Sequence, residues 1–492
     1  MKKVKIILGL LAFVSLQGCS DFLSETPDNR TELNSPEKIS ELLVNAYPQT
    51  NYMYFTEMMT DNVGDSKRTD HTELDNTNYF KFVDHELSDF DSPAWYWTSA
   101  YEAIAHANQA LDAIEKMGNP ANLAPLRGEA LLARAYAHFM LISIFSEAYD
   151  PATADSKLGV PYMKDVEVNL LVNYKRNTLA EVISLIEEDI LEGLPIVGNK
   201  YKQPKFHFTQ NAGKAFAAKF YTYVGNWDKV LEYSESLGDA PAKKLRDLND
   251  YTELSFPAQE IKYPSKEEST NLLIGTGPSI HGRNVGRKRF GMTNATTSVF
   301  RGSNPFSKEW AYIFVGYNGF GISFPTKFNE YFKYSNASAG IGQPFHAFVL
   351  LSNDDLYLNR IEAVVMKGDF DRAARMLAFF AKHKTKEATD ADLPKLTVAK
   401  IMSTYPNGSE YQPYYALTAQ QQSFVKAVAE YRRREFASEG ARFFDIKRFN
   451  LEVTHKTLVE NETFILEKHD LRKAIQLPKA VFQYGVEPNP RN

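Results

Sequence analysis

The chain has 492 residues, 43% of them hydrophobic and 24% charged, with 56 Lys and Arg against 61 Asp and Glu. That composition excludes a disordered or collagen-like chain, and a formal net charge of -5 excludes the basic stripe with which nucleic-acid binders neutralise phosphates. One cysteine excludes an intramolecular disulfide and any Cys-only metal site.

Lys2, Lys3 and Lys5 precede an apolar stretch over residues 6–16. The stretch is too short to span a bilayer and has the length of a signal-peptide h-region. Leu16-Gln17-Gly18-Cys19 follows and resembles the bacterial lipobox, in which a small residue precedes a cysteine that is diacylated before cleavage. Residues 1–18 are therefore expected to be a lipoprotein signal peptide. Residues 19–45 then form a lipidated N-terminal segment, with Cys19 as the first residue of the mature chain.

From Trp97 onward the pattern is helical. Trp97, Tyr101, Ile104, Asn108 and Leu111 recur at steps of four and three, which is one face of a helix, and Gly118-Asn119-Pro120 stops it. Asn108, on that apolar face, is expected to tie a neighbouring loop by hydrogen bonds. A second helix, rich in Ala and Leu, is predicted over about 126–145. Thr178 and Glu181 form a capping box for a third, which runs to about 194, and a fourth runs over about 210–224.

An internal repeat follows. Residues 223–230 match residues 366–373: Gly and then Asn or Asp in the turn, an aromatic, Asp, a basic residue and an apolar-faced helix. This is helical-hairpin chemistry of the tetratricopeptide type, with Gly225 and Gly368 closing one helix while Trp227 and Phe370 open the next and wedge between the pair. Residues 275–345 break the pattern. Eleven of the 26 glycines fall in 275–342 and thirteen aromatics in 290–334. A loop-rich aromatic insertion with a few short strands is expected here, between helical regions at 46–274 and 346–492, and such insertions usually carry function.

These residues resemble the SusD/RagB family of outer-membrane lipoproteins. The likeness rests on Asp21-Phe22-Leu23 and Pro27 after the cysteine, Gly128-Glu129-Ala130 and Arg134-Ala135-Tyr136 in the second helix, Gly159-Val160-Pro161, and Arg176-Asn177-Thr178. Its most specific piece is the run from Arg432-Arg433-Arg434-Glu435 through Glu439-Gly440-Ala441-Arg442 to Asp445 and Arg448. Ser438 and Ala441 depart from the usual larger residues, and the Gly-Tyr ending is missing.

The resemblance implies a mainly α, SusD-like fold of tetratricopeptide-type hairpins with a large loop-rich insertion and few short strands. It implies a binding lipoprotein without a cofactor, not an enzyme, anchored on the outer face of the outer membrane. There it would capture an oligosaccharide, or in some relatives a peptide, for a SusC-like TonB-dependent transporter. A secreted glycoside hydrolase and a periplasmic protein-binding scaffold are the competing classes.

Sugar rings pack their C–H faces on exposed aromatics flanked by polar groups. Trp310, with Tyr312 and Tyr317, is the first candidate platform, and Trp95-Tyr96 the second, with Tyr79, Phe80 and Phe82 weaker. Residues 281–289 form a short basic loop that is either solvated, or transporter-facing, or a grip for anionic sugars in which Arg287 contacts ligand. Glu435 and Glu439 are read as members of an ion-pair network kept ionised by the arginines around them. Asp84, Asp89 and Asp91, or Asp61 and Asp65, could help hold a calcium ion, but the spacing is not diagnostic.

Overall fold

The structure, a computed structural model, describes residues 33–491 apart from 71, 85, 87, 169–171, 242, 303 and 317–319. The signal segment and Cys19 lie outside the described residues.

The long helices begin where the sequence supplies a side-chain acceptor for a free backbone amide. Ser92 accepts from the Trp95 amide at 3.2 Å and starts the helix Pro93–Lys116, four residues ahead of the apolar periodicity, with Pro93 in the first turn where its missing N–H costs nothing. Thr178 and Glu181 form the expected capping box of Leu179–Gly193. Thr209 caps Gln210–Tyr223, and Thr418 with Gln421 boxes the start of Ala419–Glu435.

The helix Ala124–Phe145 is buried on every side from Gly128 to Phe145, as expected of a helix that is apolar all round. It packs between Pro93–Lys116 and Leu179–Gly193. The crossing with the latter is close because it is made at glycines. A Cβ on Gly128 would stand 2.7 Å from the Gly193 carbonyl oxygen.

The internal repeat is two helical hairpins, Gln210–Tyr223 with Trp227–Ser234 and Asn353–Met366 with Phe370–His383. Gly225 and Gly368 take φ of 69° and 83°, and Asn226 and Asp369 then cap the return helices through the Lys229 and Arg372 amides. Trp227 meets Tyr415 edge-on at 5.3 Å and Phe370 meets Phe424 at 5.3 Å, so their ring contacts run to the following C-terminal segment. Asn353–Met366 is the second buried helix and packs against Gln210–Tyr223, Trp227–Ser234, Phe370–His383 and Ala419–Glu435.

The fold is thus mainly α, and its strands are short. The aromatic segment leaves and re-enters the helices on two neighbouring antiparallel strands, Asn271–Pro278 and Ile341–Ser352, so boundaries at 275 and 345 cut through strands rather than loops. Tyr331–Asn336 completes this three-stranded sheet on its far edge. The expected basic loop is a short helix, His281–Arg287. Among the described residues no helix is long and apolar enough to cross a membrane.

Candidate functional site

The C-terminal signature folds inward. Arg432 donates to Asp445 at 3.0 Å and pairs with Glu362 at 3.2 Å, and Arg442 grips Asp61 through two 2.9 Å bonds. Glu435 and Glu439 are buried, and their bases come from elsewhere in the chain rather than from the signature's arginines, Arg246 standing 3.7 Å from Glu435. Lys384 stands 3.0 Å from Glu435 and Lys327 stands 2.6 Å from Glu439. Burial pushes the Glu435 carboxyl up despite that lysine. These acids hold elements together.

Asn108 is buried; its amide donates to the Met163 and Asp165 carbonyls at 3.0 and 3.2 Å and so ties the 163–165 loop. Four of the five acidic residues suggested for calcium are spent on other partners. Asp61 is held by Arg442, Asp65 by Arg289 and Asp84 by Arg491, while Asp91 accepts from the Ile280 amide and from Asn51.

Trp310 does not present the exposed ring expected of it. It is 6% exposed because residues 309–311 pair with the backbone of 384–386, which turns the ring onto Tyr431, edge-on at 5.7 Å, with the Arg434 guanidinium over it. Tyr312 packs beside it, half-buried, its hydroxyl 3.4 Å from Glu435. Tyr96 is also buried, against Tyr52 and Phe55. Tyr79, Phe80 and Phe82 are core as well, Phe80 lying flat between Phe290 and His455. Tyr317 lies outside the described residues. Of the candidate rings that are described, Trp95 and Tyr312 are the half-buried ones; Trp95 stands in the first turn of its helix, edge-on to Phe90 at 5.3 Å.

The basic segment divides. Arg289 is buried and neutralised by Asp65 and Glu460. Arg283 is exposed and clasps Glu330, while Arg287 is exposed with its carbonyl accepting from Arg68 at 3.1 Å. The Arg68 guanidinium lies 3.7 Å over the Phe320 ring.

Glu330 opens the strand Tyr331–Asn336, every residue of which is exposed. Tyr331, Phe332 and Tyr334 are 42%, 45% and 57% exposed. Phe332 and Tyr334 share one face by strand alternation, their rings 5.0 Å apart and edge-to-face. On the other face Lys333 stands over Phe345, opposite Gln343. The base of this hairpin is fixed to the Trp95 turn. The Ser279 amide donates to the Pro344 carbonyl at 3.0 Å, and the next residue's amide donates to Asp91, just ahead of Ser92 and Pro93. Burial pushes the Asp91 carboxyl up to about 6.

The structure therefore gathers Arg283, Glu330 and the 331–334 rings at one end of the sheet, with Arg287 at the end of the helix that carries Arg283. The three rings were missed from sequence although the signal was present: Tyr-Phe-Lys-Tyr-Ser-Asn ahead of a Gly-containing turn and a second β-rich run reads as a hairpin.

Residues 21–222 match the family model SusD-like_3, "Starch-binding associating with outer membrane", and residues 324–479 match SusD_RagB, "SusD family". Among solved structures the chain is similar to a SusD superfamily protein from Bacteroides thetaiotaomicron VPI-5482, with a TM-score of 0.65 and 16% identity, covering 93% of this chain and 100% of that one. A SusD superfamily protein from Bacteroides fragilis gives the same four values. A SusD-like carbohydrate binding protein from Bacteroides vulgatus ATCC 8482 gives a TM-score of 0.64 and 15% identity over 92% of this chain and 97% of that one. At these identities the likeness is one of fold. No curated protein matches the chain.

Proposed function

We propose that this chain, which belongs to the SusD/RagB family, is an outer-membrane lipoprotein anchored through Cys19 that binds an oligosaccharide at the cell surface and passes it to a SusC-like TonB-dependent transporter. It acts by binding and not by catalysis. The observation that carries the binding role is the Phe332–Tyr334 pair, two large rings left open on a strand exposed along its whole length. Large apolar side chains kept together in water mark a contact surface. Their spacing suits consecutive sugar rings, and Asn336 lies at the end of the same exposed strand, while Lys333 and Gln343 stand on its opposite face.

Trp95 and Arg287 are proposed as flanking contacts, Arg287 where the glycan carries an acidic group. Tyr312, half-buried behind the sheet, and Tyr317 stay secondary candidates. The carbohydrate-binding description of the Bacteroides vulgatus protein agrees with this reading. One feature favours a peptide instead: among the described residues the outer edge of Tyr331–Asn336 has no strand partner, so an extended peptide could add to it.

A glycan array probed beside an unstructured peptide library distinguishes the two ligands. Saturable binding to a defined glycan class supports the proposal, and binding confined to peptides replaces it. Protease added to intact cells tests the location, since a surface protein is digested and a periplasmic one is protected.

A further inference from the structure

Away from the aromatic hairpin, the helices Ala124–Phe145, Gln210–Tyr223, Asn353–Met366 and Ala441–Arg448 converge on a cavity of about 110 Å³. Tyr149, Tyr223 and Phe444 on its wall are half-buried, so the cavity reaches toward solvent on that side. The Tyr149 and Tyr223 rings stack at 5.8 Å.

Its charges do not balance. Lys219, Arg432, Lys447 and Arg448 face Asp355, Glu439 and Asp445. Each of those carboxylates already has a base: Lys219 for Asp355 at 2.8 Å, Lys327 for Glu439 at 2.6 Å and Arg432 for Asp445 at 3.0 Å. Arg448 is matched by Glu362 and Asp445. Lys447 is left over. It is 3% exposed, its ammonium donates to the Ser143 carbonyl at 2.7 Å, and among the described residues no carboxylate forms an ion pair with it.

Two more donors on the wall are also unspent. The Asn359 side chain, 3% exposed, accepts from Arg432 through Oδ1, but its Nδ2 has no partner. The Tyr223 hydroxyl is buried without one. Unpaired donors and an unmatched ammonium in one cavity are costly unless a guest answers them.

We propose that this cavity binds a small organic monocarboxylate, whose charge is met by Lys447 with the Asn359 amide and Tyr223 hydroxyl as further donors, and whose apolar part packs on Tyr149 and Phe444. The volume agrees, being roughly four waters at about 30 Å³ each. Burial pushes the Lys447 ammonium down to about 7, and a bound anion would restore its charge. The proposal does not rest on the oligosaccharide reading.

The test is calorimetric titration of the purified protein at pH 6.5 with benzoate and with its neutral isostere benzamide. Benzoate is expected to bind saturably, one per chain, and about tenfold or more tighter than benzamide. Lys447→Met should abolish that preference, and Tyr223→Phe, which keeps the ring, should weaken benzoate about threefold or more. Absence of saturable benzoate binding, equal affinity for benzamide, or benzoate affinity unchanged in Tyr223→Phe would overturn the proposal. If Lys447→Met does not fold, the benzamide comparison and Tyr223→Phe decide it.

Discussion

Arg134 and Asp189 form a bidentate pair, Nε to Oδ2 at 2.8 Å and Nη2 to Oδ1 at 2.7 Å, between two helices and almost out of reach of water. The remaining Arg134 nitrogen donates to Asn108 at 2.9 Å, so one guanidinium joins three long helices. Breaking a buried pair by removing one charge leaves the other uncompensated. Asp189→Asn is expected to cost about 3–5 kcal/mol in urea unfolding. A loss below about 1 kcal/mol would show that the pair is not shielded as described.

Gly440 holds φ at 72° and its amide donates to Glu57 at 3.0 Å, locking the start of Ala441–Arg448 onto the N-terminal region. A Cβ there would meet the Thr56 hydroxyl oxygen at 2.0 Å. Gly118, at φ 82°, has open space around the same position. Gly440→Ala should therefore destabilise by several kcal/mol and Gly118→Ala by only about 1 kcal/mol. Equal losses in thermal unfolding would refute the clash.

His138 is buried with both ring nitrogens engaged, by the Arg134 carbonyl and the Met163 amide, and burial pushes it down to about 3. The unfolded chain takes up a proton near pH 6.5 and the folded one does not, so this contribution to stability is present above 6.5 and is lost as pH falls toward 3. The stability advantage of the native protein over His138→Gln should shrink by about 1.4 kcal/mol per pH unit below 6.5. A pH-independent difference between pH 7 and 4.5 would contradict the assignment.

Trp310, buried against Tyr431, is now expected to matter for stability and not for ligand. Trp310→Phe should lower the unfolding midpoint, by about 1–3 kcal/mol of stability, and leave ligand affinity unchanged. A folded variant that loses affinity would return Trp310 to the site.

The helices could be read in the chain because their causes are local. Thr178 sits three residues from Glu181, and Gly368-Asp369 sits between two apolar faces. The binding surface could be located only to its segment. Thirteen aromatics in 45 residues look alike in sequence, and which of them are covered is settled by distant backbone, as when residues 384–386 draw Trp310 inward while, among the described residues, nothing layers over Tyr331–Asn336. The partners of Glu435 were illegible for the same reason, since Lys384 and Lys327 come from far along the chain.

The central claim is that exposed rings on the hairpin bind carbohydrate. It is tested most directly by titrating the best array glycan into the native protein and into the Phe332→Ala, Tyr334→Ala double variant. Both residues are solvent-exposed, so the variant should fold with an unchanged unfolding midpoint. The account predicts an affinity loss of about tenfold or more, with Trp95→Ala giving a smaller one. Full affinity in the folded double variant would contradict it.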